Sequence, residues 1–122
     1  MVLPMKFTFE EHAKKMQAAQ AAGWQVRRGV YCDIQGTLVT PGGDIIEDTR
    51  ALLRAFRENG HSITLISRVQ DNALANTGGL TTEFGPVEAK ALFRDSTVEI
   101  LIDNNPSMDA ISTLIPEEPG PE

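Results

Sequence analysis

Residues 29–46 read GVYCDIQGTLVTPGGDII, and the reading of the fold starts from that stretch. GVYCDI mixes apolar and aromatic residues without a polar face, the pattern of a strand covered on both sides. It halts at Gly36. Two short apolar pieces then flank Pro41-Gly42-Gly43, which predicts a hairpin. Working outward, residues 47–59 (EDTRALLRAFREN) place Ala51, Leu52, Ala55 and Phe56 on one helical face, with Arg50, Arg54, Arg57 and Glu58 largely off it. Gly60 is the stop. SITLIS (62–67) and VEILID (98–103) are two further apolar runs of strand length.

The weaker signals fill the intervals. VQDNALANT predicts a short helix ended by Gly78-Gly79, Pro86 opens a helix over VEAKALF, and Pro106 starts a final helical turn. Upstream, Thr8 and Glu11 form a capping-box pattern ahead of a helix over 9–22. That helix is expected outside the domain, with Phe9, Ala13, Met16 and Ala19 or Gln20 on its moderately apolar face. WQVRRG reads as a connector. The division is therefore 1–28 as helix and connector, 29–115 as the core domain, and 116–122 as a disordered acidic tail.

Strands separated by helices imply a parallel sheet covered on both faces, a three-layer α/β/α sandwich. In such sheets the reacting groups lie just past the carboxyl ends of the strands. The residues there are Asp33, Ser67 and Asp103.

Composition narrows the classes. The chain has 122 residues, 41% of them hydrophobic, enough for one ordinary core. No apolar run approaches the ~18 residues of a membrane span. Pro4 and Lys6 interrupt the amino terminus before a signal-peptide core forms. A single cysteine, Cys32, excludes an internal disulfide and a cysteine-rich zinc site, and a cytoplasmic protein is expected. Seventeen acidic against eleven basic residues give a net charge of −6, which disfavours nucleic acid as partner. His12 and His61 are expected at the surface, and Cys32 in the core.

The run DIQGTL (33–38) resembles the first motif of the haloacid dehalogenase-like (HAD) superfamily, usually D-x-D-G-T-L/V. The remaining motifs follow in the family's order. Ser67 ends ITLIS like the second motif, Lys90 matches the third loosely, and LIDNNP with Asp103 looks like the fourth. The resemblance covers roughly residues 29–110. It implies a HAD-like Rossmannoid fold and a Mg2+-dependent phosphohydrolase or phosphotransferase in which Asp33 forms an aspartyl-phosphate. It further implies Asp33, the backbone carbonyl of Gln35 and Asp103 as metal ligands. Ser67 and Lys90 would meet the phosphate, with Gly36, Thr37 and Arg68 beside it.

Two departures stand out. Phosphatases of this family carry Asp where Gln35 stands; that Asp protonates the leaving group and deprotonates the attacking water. An amide does neither at neutral pH. Asn104 follows Asp103 where a second acid is common. Gln35 therefore leaves open a binding module that kept the fold but lost turnover. A receiver-like signalling domain fits less well, because its acidic pair ends the first strand and its phosphorylated Asp the third. A cysteine-phosphatase loop is absent, since position 38, where it needs Arg, is Leu. The interval 68–89 is too short for a folded cap domain. A capless site suits a large phosphorylated substrate, or a protein partner or second copy acting as lid.

Overall fold

A computed structural model describes residues 7–68 and 73–116. The chain runs α1 (Phe9–Ala21), β1 (Val26–Asp33), α2 (Glu47–Glu58), β2 (Ile63–Ser67), α3 (Leu80–Phe84), β3 (Val87–Ala89), β4 (Thr97–Ile102) and β5 (Asp109–Leu114). Short 3-10 stretches occupy Ala73–Gly79 and Lys90–Phe93. All five strands are parallel, in the order β3-β2-β1-β4-β5. This is a Rossmann-like α/β arrangement, with the order reversing between β1 and β4. Among the described residues no helix is long and apolar enough to cross a membrane.

β1 is the axis. Cys32 pairs with Leu65 of β2 on one side and Ile102 of β4 on the other. Side chains alternate across it: Val30, Cys32 and Ile34 enter the larger core, and Tyr31 enters a second cluster on the other face. Leu52, Leu53 and Phe56 of α2 and Leu80 and Phe84 of α3 complete the larger core. Phe9 of α1 sets its ring against Phe56, so α1 shares that face. The expected helical layer on the second face is replaced. There Phe93 of the 3-10 turn and Met108 cover Tyr31, Ile66, Val98 and Leu101.

The hairpin forms as expected. Val39 bridges Ile45 antiparallel, Ile46 N–H donates to the Leu38 carbonyl at 2.8 Å, and Gly43 turns the chain at φ +94. Thr8 caps α1 by accepting the Glu11 N–H at 3.2 Å.

Several expectations are corrected. β1 begins at Val26, so part of the supposed connector is strand. The buried face of α1 is His12, Met16 and Ala19: Met16 and Ala19 are as expected, His12 is buried in place of Ala13, and Phe9 is half exposed. Residues 87–89 are strand, not helix: Pro86 precedes an extended segment that pairs with β2. Residues 109–114 are also strand, paired with β4 through Val98↔Ala110 and Ile102↔Leu114. Pro106 therefore starts no helix: the segment beyond it pairs with β4 and buries Ser112 and Leu114 against it. The first part of the expected 69–76 helix, and all but Pro116 of the expected tail, lie outside the described residues.

Candidate functional site

Each strand from β1 to β4 delivers one polar group to the same end of the sheet. Asp33 is the last residue of β1 and Ser67 the last of β2. Lys90 follows β3 directly, and Asp103 follows β4. Parallel pairing puts all four carboxyl ends on one rim, where the sheet twist and the strand-order reversal leave a crevice. A pocket of about 390 Å³ opens there, lined by Asp33, Gln35, Gly36, Ser67, Arg68, Lys90 and Asp103. Those are seven of the eight residues expected from the sequence. Pro41 of the hairpin overhangs it, and Asn104 and Asn105 complete the wall.

The ammonium of Lys90 lies 3.0 Å from Asp33 Oδ1 and 2.8 Å from Asp103 Oδ2. Both carboxylates are buried, Asp103 completely. Two like charges held this close in a low-dielectric wall require a cation between or beside them. Burial and the Asp103 charge push the Asp33 carboxyl above its ordinary range, against the pull of Lys90 and the Ile34 N–H. Burial draws Lys90 down, but its hydrogen bonds to Asp103 and Asp33 outweigh this and hold it above the ordinary lysine value. The triad is thus two carboxylates and one ammonium, with a formal charge of −1 before the exposed Arg68 is counted.

Thr37 is the exception among the expected residues. It is fully buried beneath the pocket and does not line it. Its hydroxyl lies 3.3 Å from Asp33 Oδ2 and 3.1 Å from Asn104 Oδ1, and it accepts the Asn104 N–H at 3.0 Å. One hydroxyl has one proton, so it donates to one of these acceptors at a time. Thr37 therefore ties the loop after β1 to the loop after β4 and positions Asp33. Asn105 N–H donates to Asp103 Oδ1 at 2.9 Å, fixing the second carboxylate. Asn104 and Asn105 were missed as pocket residues; their signal was their place directly after a strand-end Asp.

The donor set suits a hard cation. Asp33 and Asp103 offer carboxylate oxygens, Gln35 stands in the same wall, and lone pairs remain on both acids beyond the hydrogen bonds already made. Cys32, beside Asp33, is fully buried, and burial together with the Asp33 charge pushes its thiol well above the ordinary value. It takes no part in the pocket.

The histidines overturn their expectation. His12 is buried and His61 is largely so. Toward the amino ends of the strands they converge on Glu99 of β4, with donor atoms of all three within 4.8 Å of one another, a group able to hold a metal ion. Burial pushes the Glu99 carboxyl up, but the Gly29 N–H, His12 and Arg28 hold it below its ordinary range. No protein-family model matches this chain, and no curated protein and no solved structure matches it either.

Proposed function

We propose that this chain is a capless HAD-like protein whose rim pocket performs Mg2+-dependent phosphoryl transfer through Asp33, as a phosphohydrolase or phosphotransferase. The observation that carries the reading is Lys90 within 3.0 Å of Asp33 and 2.8 Å of Asp103, at the carboxyl ends of the two central strands. An isolated strand-end Asp capping a turn has no need of a buried lysine and a second buried acid.

Asp33 is the nucleophile. An oxygen of its carboxylate forms a bond to phosphorus as the ester P–O bond breaks, giving an aspartyl-phosphate and an alkoxide leaving group. Water then attacks the same phosphorus, the bond between the Asp33 oxygen and phosphorus breaks and phosphate departs, while solvent takes the proton of the attacking water and gives one to the alkoxide. Lys90 offsets charge on the phosphoryl oxygens, Ser67 donates a hydrogen bond to one of them, and Arg68, at the exposed edge, meets the rest of the anion. Asp33, the Gln35 carbonyl and Asp103 would hold magnesium, whose charge lets a phosphate dianion approach two carboxylates.

Gln35 lines the pocket where a proton donor would act, and its amide supplies no proton. Loss of general acid–base catalysis costs roughly 10²–10⁴-fold, so leaving-group departure is slow for alkyl esters. The same residue favours a second reading, a binding module that holds a phosphorylated partner without turnover. The open pocket accepts a large phosphorylated substrate, or a lid from a partner or second copy. Net charge disfavours nucleic acid, and a lone buried thiol suits the cytoplasm.

The test is turnover of an aryl and an alkyl phosphate with magnesium. Asp33→Asn should silence both, and Asp103→Asn should abolish magnesium binding along with activity. Gln35→Asp should raise alkyl-phosphate turnover by roughly 10²-fold or more, and aryl-phosphate turnover by less. No turnover by either wild type or Gln35→Asp would remove the enzyme reading in favour of the binding module.

A further inference from the structure

We propose that His12, His61 and Glu99 form a second metal site, for a zinc-class divalent ion, that staples α1 to the sheet at the end opposite the pocket. This site does not depend on phosphoryl transfer at the rim pocket.

The three ligands come from separate elements: His12 from α1, His61 from the turn before β2, and Glu99 from β4. Both imidazoles present Nε2 to the same oxygen. His12 Nε2 lies 2.9 Å and His61 Nε2 3.3 Å from Glu99 Oε2. Zinc bonds of about 2.0–2.1 Å on a tetrahedron put neighbouring ligand atoms about 3.3 Å apart, close to both imidazole–carboxylate separations, and the third separation, between the imidazoles, is within 4.8 Å and closes on binding.

The surrounding contacts hold these groups in a ligating posture. The two oxygens of Glu99 are divided in role. Oε1 accepts the Gly29 N–H at 2.9 Å and Arg28 Nε at 3.1 Å, which leaves Oε2 to face the histidines. His12 Nδ1 sits 2.7 Å from the Ser112 hydroxyl. Donation from Nδ1 to Ser112 selects the tautomer whose Nε2 lone pair is free for a metal, the usual outer arrangement of ligating histidines. The rings of Phe7, Phe9 and Phe56 pack on the two imidazoles.

His61 lacks the outer contact that His12 has: its Nδ1 is buried with no partner among the described residues, and Nε2 is the nitrogen that faces Glu99. The nearest formal positive charge, Arg28, is a mostly exposed side chain. Two imidazole nitrogens and one carboxylate oxygen favour Zn2+, Co2+, Ni2+ or Cu2+ over magnesium, which prefers an all-oxygen shell. Water fills the fourth position. The rim pocket and this cluster thus select different ions by donor chemistry.

The experiment titrates untagged full-length protein with cobalt(II), reading the visible bands of a low-coordinate site, then displaces cobalt with zinc. One equivalent should produce the low-coordinate bands, zinc should raise the melting temperature, and excess magnesium should not remove those bands. His61→Gln and Glu99→Gln should each weaken cobalt binding by about 100-fold or more, beyond the usual effect of losing an outer-shell contact. Asp103→Asn should leave it unchanged. If either ligand variant does not fold, pulsed EPR of the wild-type copper(II) form decides, and should count two coordinated imidazoles. Absence of cobalt bands at millimolar metal, full binding by folded His61→Gln, or a copper spectrum without two imidazoles would overturn the site.

Discussion

At the carboxyl ends of β1 and β4, two carboxylates share one ammonium beside an open pocket; toward the amino ends of the same strands, one carboxylate is shared by two imidazoles and a guanidinium under a lid of phenylalanine rings. The first arrangement has surplus negative charge, hard oxygen donors and an opening to solvent. The second has nitrogen donors and is largely buried. The difference teaches that burial of charge does not by itself mark a reactive site. Access and donor type do, and here they divide the two ends between exchange with solvent and attachment of a helix.

The comparison breaks first at Lys90. Lys90→Met removes the cation shared by Asp33 and Asp103 and leaves two buried acids facing each other. Urea denaturation should show a loss of about 3 kcal/mol, at the low end for a broken buried pair because the pocket admits water. Added magnesium should restore part of that loss in Lys90→Met and do little for wild type. A loss below about 1 kcal/mol would mean that Lys90 does not neutralise the rim.

The other end is probed by Gly29→Ala. Gly29 sits at φ +109 in a register shift of β1, and an added Cβ would fall 2.4 Å from Ser62 Oγ and 3.0 Å from its carbonyl oxygen. A destabilisation of about 1–3 kcal/mol is expected by the same assay, reflecting strain at a positive φ. Ser62→Ala in that background removes the hydroxyl clash and should recover only part of it. Metal-dependent behaviour at the rim should not change, because the strain lies at the far end of β1. A shift there would show that the ends are coupled along the strand.

The smallest effect belongs to a pair that serves neither end. Glu83 of α3 accepts hydrogen bonds from Arg54 of α2 and has Arg57 close by. The Arg54 hydrogen bond holds its carboxyl below the ordinary range. A carboxyl lowered on folding contributes stability at neutral pH and loses it as pH falls through its folded value. Thermal melts of wild type and Glu83→Gln should therefore differ slightly at neutral pH and converge in acid. A difference that persists at low pH would assign the effect to packing, since exposed ion pairs contribute little.

The sequence made the central strands, the hairpin, α2 and most of the rim legible, because these rest on uninterrupted apolar runs and on a strand-end Asp followed by Gly-Thr. β3 and β5 were not legible for a physical reason. β3 has three residues, too few for a period, and its Pro86 also fits a helix start. β5 carries Ser112 and Thr113 within its pairing, so its apolar alternation is faint. Missing β3 hid why Lys90 reaches the rim: it is the residue after a strand end, not a helix-surface lysine. The histidine cluster was invisible because its members lie far apart in sequence, 87 residues between His12 and Glu99. No local pattern signals a contact made only by tertiary packing.

The placement of Cys32 has a further consequence. It is the chain's only thiol, fully enclosed in the axial strand between β2 and β4, and its deprotonation is opposed by burial and by Asp33 next to it. A thiol reagent can react only after that strand has parted from its neighbours. The labelling rate is therefore a clock for the rarest opening of the sheet, read at one atom without any introduced probe. Ligands that bind at either rim of the folded sheet would slow it in proportion to how tightly they bind.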